Sequence, residues 1–258
     1  MATFTRAIVR PPGVNFSAGL TTVNLGTPAY ELALKQHAEY CEALRSCGLR
    51  VMSLPIDERY PDSTFVEDTA ILTKHCAIIT RPGADTRRGE ITSIEKELAS
   101  SFNEIRSIHE PGTLDGGDIC EVDEHFFIGV SARTNEAGAR QFAEILAEFG
   151  FTSAVIDVRP VKSILHLKSG LAHLGGKQLV VIDELVECDQ LRGYELIRVK
   201  RNEAYAANCV RINGSVLIAA GFPSFAETLG VHGFETIAVE MSEFQKMDGG
   251  LSCLSLRF

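Results

Sequence analysis

Apolar side chains return every third or fourth position in four stretches of this chain, and each reads as an amphipathic helix. The stretches are AYELALKQHAEYCEALRSCG (29–48), RGEITSIEKELASSF (88–102), NEAGARQFAEILAEFG (135–150) and SFAETLGVHG (224–233). Glycine closes the first and the third, as expected where a helix must turn out of its last carbonyls. Between them lie short apolar, β-branched runs broken by turn residues, which predict paired strands. These are FVEDTAILTKHCAIIT, LDGGDICEVDEHFFIGV, LHLKSGLAHLGGKQLVVI and YAANCVRINGSVLIAA. Each opens on a polar residue in an apolar setting and then gives a strand, a turn and a second strand. The last residues, GLSCLSLRF, supply one more first strand, and FTRAIVRPP near the start offers it a partner.

The polar residues that open these units are Asp68, Asp118, His166, Asn208 and Cys253, at intervals of 50, 48, 42 and 45. Self-similarity at a period of about 40–50 residues is the mark of propellers and repeat arrays. With a helix between the strand pairs, each unit reads strand, strand, helix, strand. Pairing the first and last segments would close the units into a ring, whose first strands all begin near one centre. The competing reading is an ordinary α/β domain with hairpins that resemble one another by chance. In the ring, Asp68, Asp118, His166 and Cys253 meet, with Asp62, Glu67 and Asp115 beside them, in an acidic pocket that holds one histidine and one thiol.

A chain of 258 residues fits one large domain or two small ones. No linker or low-complexity tract divides it, so one domain over residues 1–258 is expected. The formal net charge of -9 offers no basic stripe to phosphates and argues against a nucleic-acid partner. It does not forbid a cationic small molecule, which acidic residues gathered in a cleft would attract. Seven cysteines, an odd number without a CxxC pair, read as free thiols of a reducing cytoplasm. No signal-peptide core and no run long enough to span a bilayer is found, so no membrane partner is expected.

Most lone cysteines are small core hydrophobes. Cys253 is set apart by the DGG before it, which offers a tight turn with exposed amides beside the sulfur. Only a thiolate attacks, so a base or cation must stand nearby. His166 would take and return the proton, and Asp115 or Asp118, in TLDGGD, would orient it. Asp62, Glu67 and Asp68, in PDSTFVEDTA, are costly at a buried strand unless paired, and a guanidinium is their natural partner. Arg87, beside Arg88, and Arg133 each precede a helix, and Arg87 with Arg133 would clamp the carboxylate of an amino acid. TLDGGD lacks the spacing and lysine of a phosphate loop. His166 and His173 do not reproduce a zinc pattern. No cofactor and no required metal are expected.

Taken together, PDSTFVEDTA, ITRPGADTRRGE, EPGTLDGGD, GVSARTNEAG, LHLKSGL, YAANCV and DGGLSCLSLRF resemble the dimethylarginine dimethylaminohydrolases of the guanidine-modifying, or amidinotransferase, superfamily. The resemblance runs from about residue 60 to the end of the chain, in the family's order. It implies an α/β fold, a five-bladed αβ propeller of ββαβ repeats with pseudo-fivefold symmetry. It also implies Cys253 as nucleophile, His166 as general acid/base and Asp115 as the orienting acid. Substrate-binding positions carry over to Asp62, Glu67, Asp68, Arg87 and Arg133, and main-chain contacts to Leu20 and Met247. The implied reaction turns Nω-methylated arginines into citrulline and the free amine through a thiouronium on Cys253. A homodimer is common in such families. A small arginine deiminase and a non-catalytic binder of arginine analogues are the alternatives. The chain has no stretch to spare for the added helical segment of the deiminases. A cysteine peptidase leaves the acid cluster unexplained.

Overall fold

A computed structural model describes residues 3–258 of the chain. The fold has five three-stranded sheets, each built the same way: the first strand lies antiparallel to the second, and the third returns parallel to the second. In chain order, β1 (Arg6–Val9), α1 (Tyr30–Ser46) and β2 (Arg50–Ser53) come first. The second sheet is β3 (Ala70–Leu72), β4 (Ala77–Ile79) and β5 (Ile105–Ser107), with α2 (Ile91–Leu98) in its crossover. The third is β6 (Ile119–Val122), β7 (His125–Val130) and β8 (Thr152–Asp157), with α3 (Glu136–Glu148). The fourth is β9 (Leu171–Gly175), β10 (Gln178–Val181) and β11 (Glu195–Arg198). The fifth is β12 (Val210–Ile212), β13 (Ser215–Ala219) and β14 (Glu235–Val239), with α4 (Pro223–Val231). A short α5 (Ser242–Gln245) leads to β15 (Leu256–Arg257).

The strand β15 pairs antiparallel with β1, Ala7 opposite Arg257, and so completes the first sheet from the far end of the sequence. First strands of neighbouring sheets approach one another, β3 beside β15, β6 beside β9 and β9 beside β12. This is the expected ring of five units, four of them ββαβ. The middle strands β4, β7 and β13 are almost continuously apolar because both of their faces are covered. Three hairpins close with a residue at positive φ, Asp123, Asn213 or Gly176, the left-handed conformation that two-residue turns require. Outside the strands, α3 presses Phe142 against Phe126, and Phe126 against Phe151, edge to face.

One expectation changes. The fourth unit has no α-helix; single 3-10 turns at Asp183–Leu185 and Asp189–Leu191 make its crossover. Only 13 residues separate β10 from β11, and they carry no 3.6-residue apolar repeat. The predicted helix over 88–102 likewise begins as a 3-10 turn, Asp85–Glu90, which holds Arg87, before α2 proper. Among the described residues, no helix is long and apolar enough to cross a membrane.

Candidate active site

A short 3-10 segment precedes the first strand of each unit, and the five polar residues picked out by the repeat spacing sit in or beside these turns. Asp68 lies in Val66–Thr69 and Asp118 in Gly116–Asp118. His166 immediately precedes Leu167–Ser169, Asn208 follows Arg201–Ala207, and Cys253 lies in Ser252–Leu254. All five are buried. The periodicity of the sequence is therefore a periodicity of axial turns, and it brings residues nearly 200 positions apart to one place.

There a narrow cavity of about 20 Å³ is lined by Leu20, Asp62, Asp68, Arg87, Arg133, His166, Met247 and Cys253, with Phe65, Leu165, Asp248 and Gly249. The segment around Leu20 is pinned over it. The Leu20 N–H donates to Asp62 at 3.0 Å, and Thr22 donates to Asp248 through its N–H and its hydroxyl. Arg133 is half-buried and makes no ion pair with any described residue.

His166 Nε2 lies 3.1 Å from Asp115 Oδ2, and the other oxygen of Asp115 accepts the Gly83 N–H at 2.8 Å. Asp118 is occupied elsewhere: it accepts the Leu167 N–H at 3.0 Å and the Ser131 hydroxyl at 2.6 Å. Of the two acids open in sequence, Asp115 faces the imidazole and Asp118 braces the turn behind it. Gly117 packs under the ring so closely that a Cβ there would lie 2.8 Å from Nδ1. Burial opposes a charge on His166, but Asp68, Asp118 and Asp115 outweigh it and push its pKa up to about 9. Asp115 is held below the usual carboxylate range against its burial, chiefly by its bond to His166. Burial pushes Asp118 up to about 6. The Cys253 thiol is pushed up to about 12, by burial first and then by Glu67 and Asp68. The Gly250 N–H, 3.4 Å from Sγ, and Lys168 work the other way. At neutral pH the site thus pairs a thiol with an imidazolium.

Two of the expected ligand-binding side chains have partners within the protein. Arg87 is buried, with Nη1 on Asp68 at 2.6 Å, Nε and Nη2 on Glu90, and Nη2 also on the Phe65 carbonyl. It supplies the guanidinium that the buried acids call for, and it lines the small cavity together with Arg133. Glu67 does not line this cavity. Its oxygens take Ser252 Oγ at 2.6 Å, Lys168 Nζ at 2.7 Å and Arg257 Nη2 at 3.0 Å, and it belongs to the wall of a second, larger cavity of about 190 Å³. Donor atoms of Asp68, Asp115 and His166 lie within 4.8 Å of one another. Asp68 is paired with Arg87 and Asp115 with His166, so the group forms an ion-pair network as it stands.

Sequence reasoning passed over Glu90, fully buried opposite Arg87. Its signal was the i, i+3 spacing in TRRGE. Ser252, Lys168 and Arg257 carried none, since their partner is remote in sequence.

Comparison with known proteins bears on the family and the fold. The family described as N,N dimethylarginine dimethylhydrolase, eukaryotic, matches residues 26–253. An N(G),N(G)-dimethylarginine dimethylaminohydrolase of Pseudomonas aeruginosa is 43% identical, over 99% of this chain and 100% of its own. A solved structure of the Pseudomonas aeruginosa enzyme, a cysteine-to-serine variant complexed with citrulline, superposes with a TM-score of 0.97 at 43% identity and covers 100% of both chains. A dimethylarginine dimethylaminohydrolase with a histidine-to-glycine change, an adduct with S-methyl-L-thiocitrulline, gives 0.96 at 43% identity over 99% of this chain and 100% of the other. With the fold, the closure of the ring and similarity along the whole chain in accord, the chain belongs to the dimethylarginine dimethylaminohydrolase family.

Proposed function

We infer that this chain hydrolyses Nω-methylated arginines to citrulline and dimethylamine or methylamine, with Cys253 as nucleophile. The observation that carries the reading is the convergence of Cys253 and the His166–Asp115 pair on one small, acid-lined cavity. The similarity to enzymes of this name, one solved with citrulline and one as an adduct with a thiocitrulline, supports it.

The charges order the steps. Asp62 and Asp68 receive the cationic guanidinium, Arg133 with Arg87 the substrate carboxylate, and the segment of Leu20 and Met247 encloses the chain between them. A thiol near 12 does not ionise by itself at neutral pH. A positive charge brought beside the sulfur favours the thiolate, so binding and activation coincide. The thiol proton leaves to solvent, and the sulfur bonds to the guanidinium carbon. The C–N bond to the methylated nitrogen then breaks as imidazolium His166 gives that nitrogen a proton, and the amine departs. A thiouronium remains on Cys253. Neutral His166 now takes a proton from water, whose oxygen bonds to the same carbon. Collapse breaks the C–S bond, and release of the new hydroxyl proton gives the citrulline carbonyl. Asp115 keeps the imidazole oriented throughout.

The test is citrulline release from asymmetric dimethylarginine, monomethylarginine, arginine and agmatine, with Cys253→Ser as control. Turnover of the methylated arginines, lost in the variant, is expected. Arginine or agmatine as the only substrates would make the protein a deiminase, and binding without turnover of any of them would make it a binder. Free cysteines at all seven positions are consistent with a cytoplasmic setting. Size-exclusion chromatography distinguishes a monomer from the homodimer proposed here.

A further inference from the structure

The five axial turns are tied to one another in a closed belt of hydrogen bonds. Asp68 Oδ1 accepts the Gly117 N–H of the next turn at 2.9 Å, and Asp118 Oδ1 accepts the Leu167 N–H at 3.0 Å. Asn208 Nδ2 donates back to the Lys168 carbonyl at 3.0 Å, and Asn208 Oδ1 accepts the Ser252 N–H at 2.9 Å. The last link, Ser252 Oγ to Glu67 Oε2 at 2.6 Å, joins the fifth turn to the first. Lys168 stands two residues after His166, and Ser252 one before Cys253. A single carboxylate, Glu67, therefore holds the turn of the histidine and the turn of the cysteine.

That carboxylate is buried, and an unpaired buried charge is expensive. Lys168 and Arg257 both meet its Oε1, and Arg257 also donates to the Ser252 carbonyl at 3.1 Å. We propose that Lys168 and Arg257 are positioning residues for the hydrolysis, which hold Glu67 and Ser252 in the belt and so fix Cys253 against His166, while masking the negative charge beneath the sulfur. The proposal rests on the reading of Cys253 as nucleophile. Neither cation lines the small cavity, so neither touches substrate there. Their influence on the thiol agrees in direction with the geometry: Glu67 raises its pKa and Lys168 lowers it. The other ionisable groups around Cys253 are Asp68, His166 and Tyr205, with Asp62, Arg87, Arg133 and Asp248 on the cavity wall.

The test compares Lys168→Met, Arg257→Met, Lys168→Arg and Ser252→Ala by the pH dependence of iodoacetamide labelling at Cys253, read by peptide mass spectrometry, and by kcat and KM for dimethylarginine. In Lys168→Met labelling at each pH between about 7 and 9 should be about tenfold slower than in the wild type. Its kcat should fall about tenfold with KM within about twofold, the pattern of lost transition-state alignment. Lys168→Arg should restore both. Ser252→Ala, which cuts the tie and leaves the charges, should lower kcat without slowing labelling, and it decides the positioning claim should Lys168→Met fail to fold. A labelling profile and kcat unchanged in Lys168→Met and Ser252→Ala, with only a lower Tm, would overturn the proposal and leave a structural ion pair. A wild type without citrulline release but with the labelling shift would overturn the hydrolase reading alone. Loss of both readouts in the wild type would overturn both.

Discussion

Asp115→Asn removes one charge from the buried pair with His166 and keeps its size. The raised pKa of His166, about 9 against an ordinary 6.5, means that the folded chain holds this proton about 3 kcal/mol more tightly than the unfolded chain. A raised pKa stabilises below the unfolded value, so this contribution is complete below pH 6.5 and fades as pH rises through about 9. Asp115 is one of three carboxylates that sustain it, with Asp68 and Asp118, and the only one in direct contact. A charge-assisted bond of this kind contributes about 1.5–3 kcal/mol, so its loss should bring His166 down by about one to two pH units. The pair titrates as a unit, and the shift belongs to both partners. The assay is a proton NMR titration of the His166 ring, assigned against His166→Gln, with Tm measured from pH 6 to 10. In the wild type Tm should fall across the alkaline half of that range; in Asp115→Asn the fall should begin earlier. A wild-type His166 titrating at or below 6.5, or the same midpoint in both proteins, would refute the reasoning.

Other substitutions probe the rest of the cavity. Gly117→Ala places a methyl 2.8 Å from His166 Nδ1 and 2.9 Å from Asp68 Oδ1. It should cost about 1–3 kcal/mol of stability by overpacking and lower kcat at least about tenfold; denaturant melts and steady-state kinetics check the two halves. Arg133→Met should raise KM for dimethylarginine by about tenfold or more and leave kcat largely intact, as loss of a ground-state contact does. It should do little to KM for a substrate without a carboxylate; equal losses on both would remove the clamp. Thr22→Val cuts the hydroxyl contacts with Asp248 across the mouth of the cavity. Its expected effect is faster limited proteolysis at residues 19–25, relieved by citrulline, and an unchanged cleavage rate would refute the tie.

The ring was legible in sequence because each unit repeats the same local problem, a polar residue leading into a buried strand, at a nearly constant interval. The convergence of Asp68, Asp118, His166 and Cys253 followed from that alone. Asp115 could not be separated from Asp118 by spacing. Both are fully buried, and only the Ser131 and Leu167 donors on Asp118 decide between them. Arg87 and Glu67 were harder for a related reason. Sequence marks them as charged residues near a cleft, but whether a charge meets the ligand or another side chain depends on burial and on partners such as Glu90 and Arg257. The missing helix of the fourth unit was visible in the lack of a 3.6-residue period after β10.

The pairing of β15 with β1 bears on how the molecule is assembled. Thr5 and Phe258, which meet where these strands join, are separated by 253 positions. Hairpins and crossover helices within each unit need only local chain closure, whereas this contact needs the longest loop in the protein. Contacts of such separation slow folding and tend to come late. Cys253 lies three residues before β15, so the proposed nucleophile is expected to be seated when the ring closes. During refolding the circular-dichroism signal of helices and hairpins should return while Cys253 still reacts freely with a thiol reagent. A chain that looks native by its secondary structure would then still lack its proposed catalytic centre.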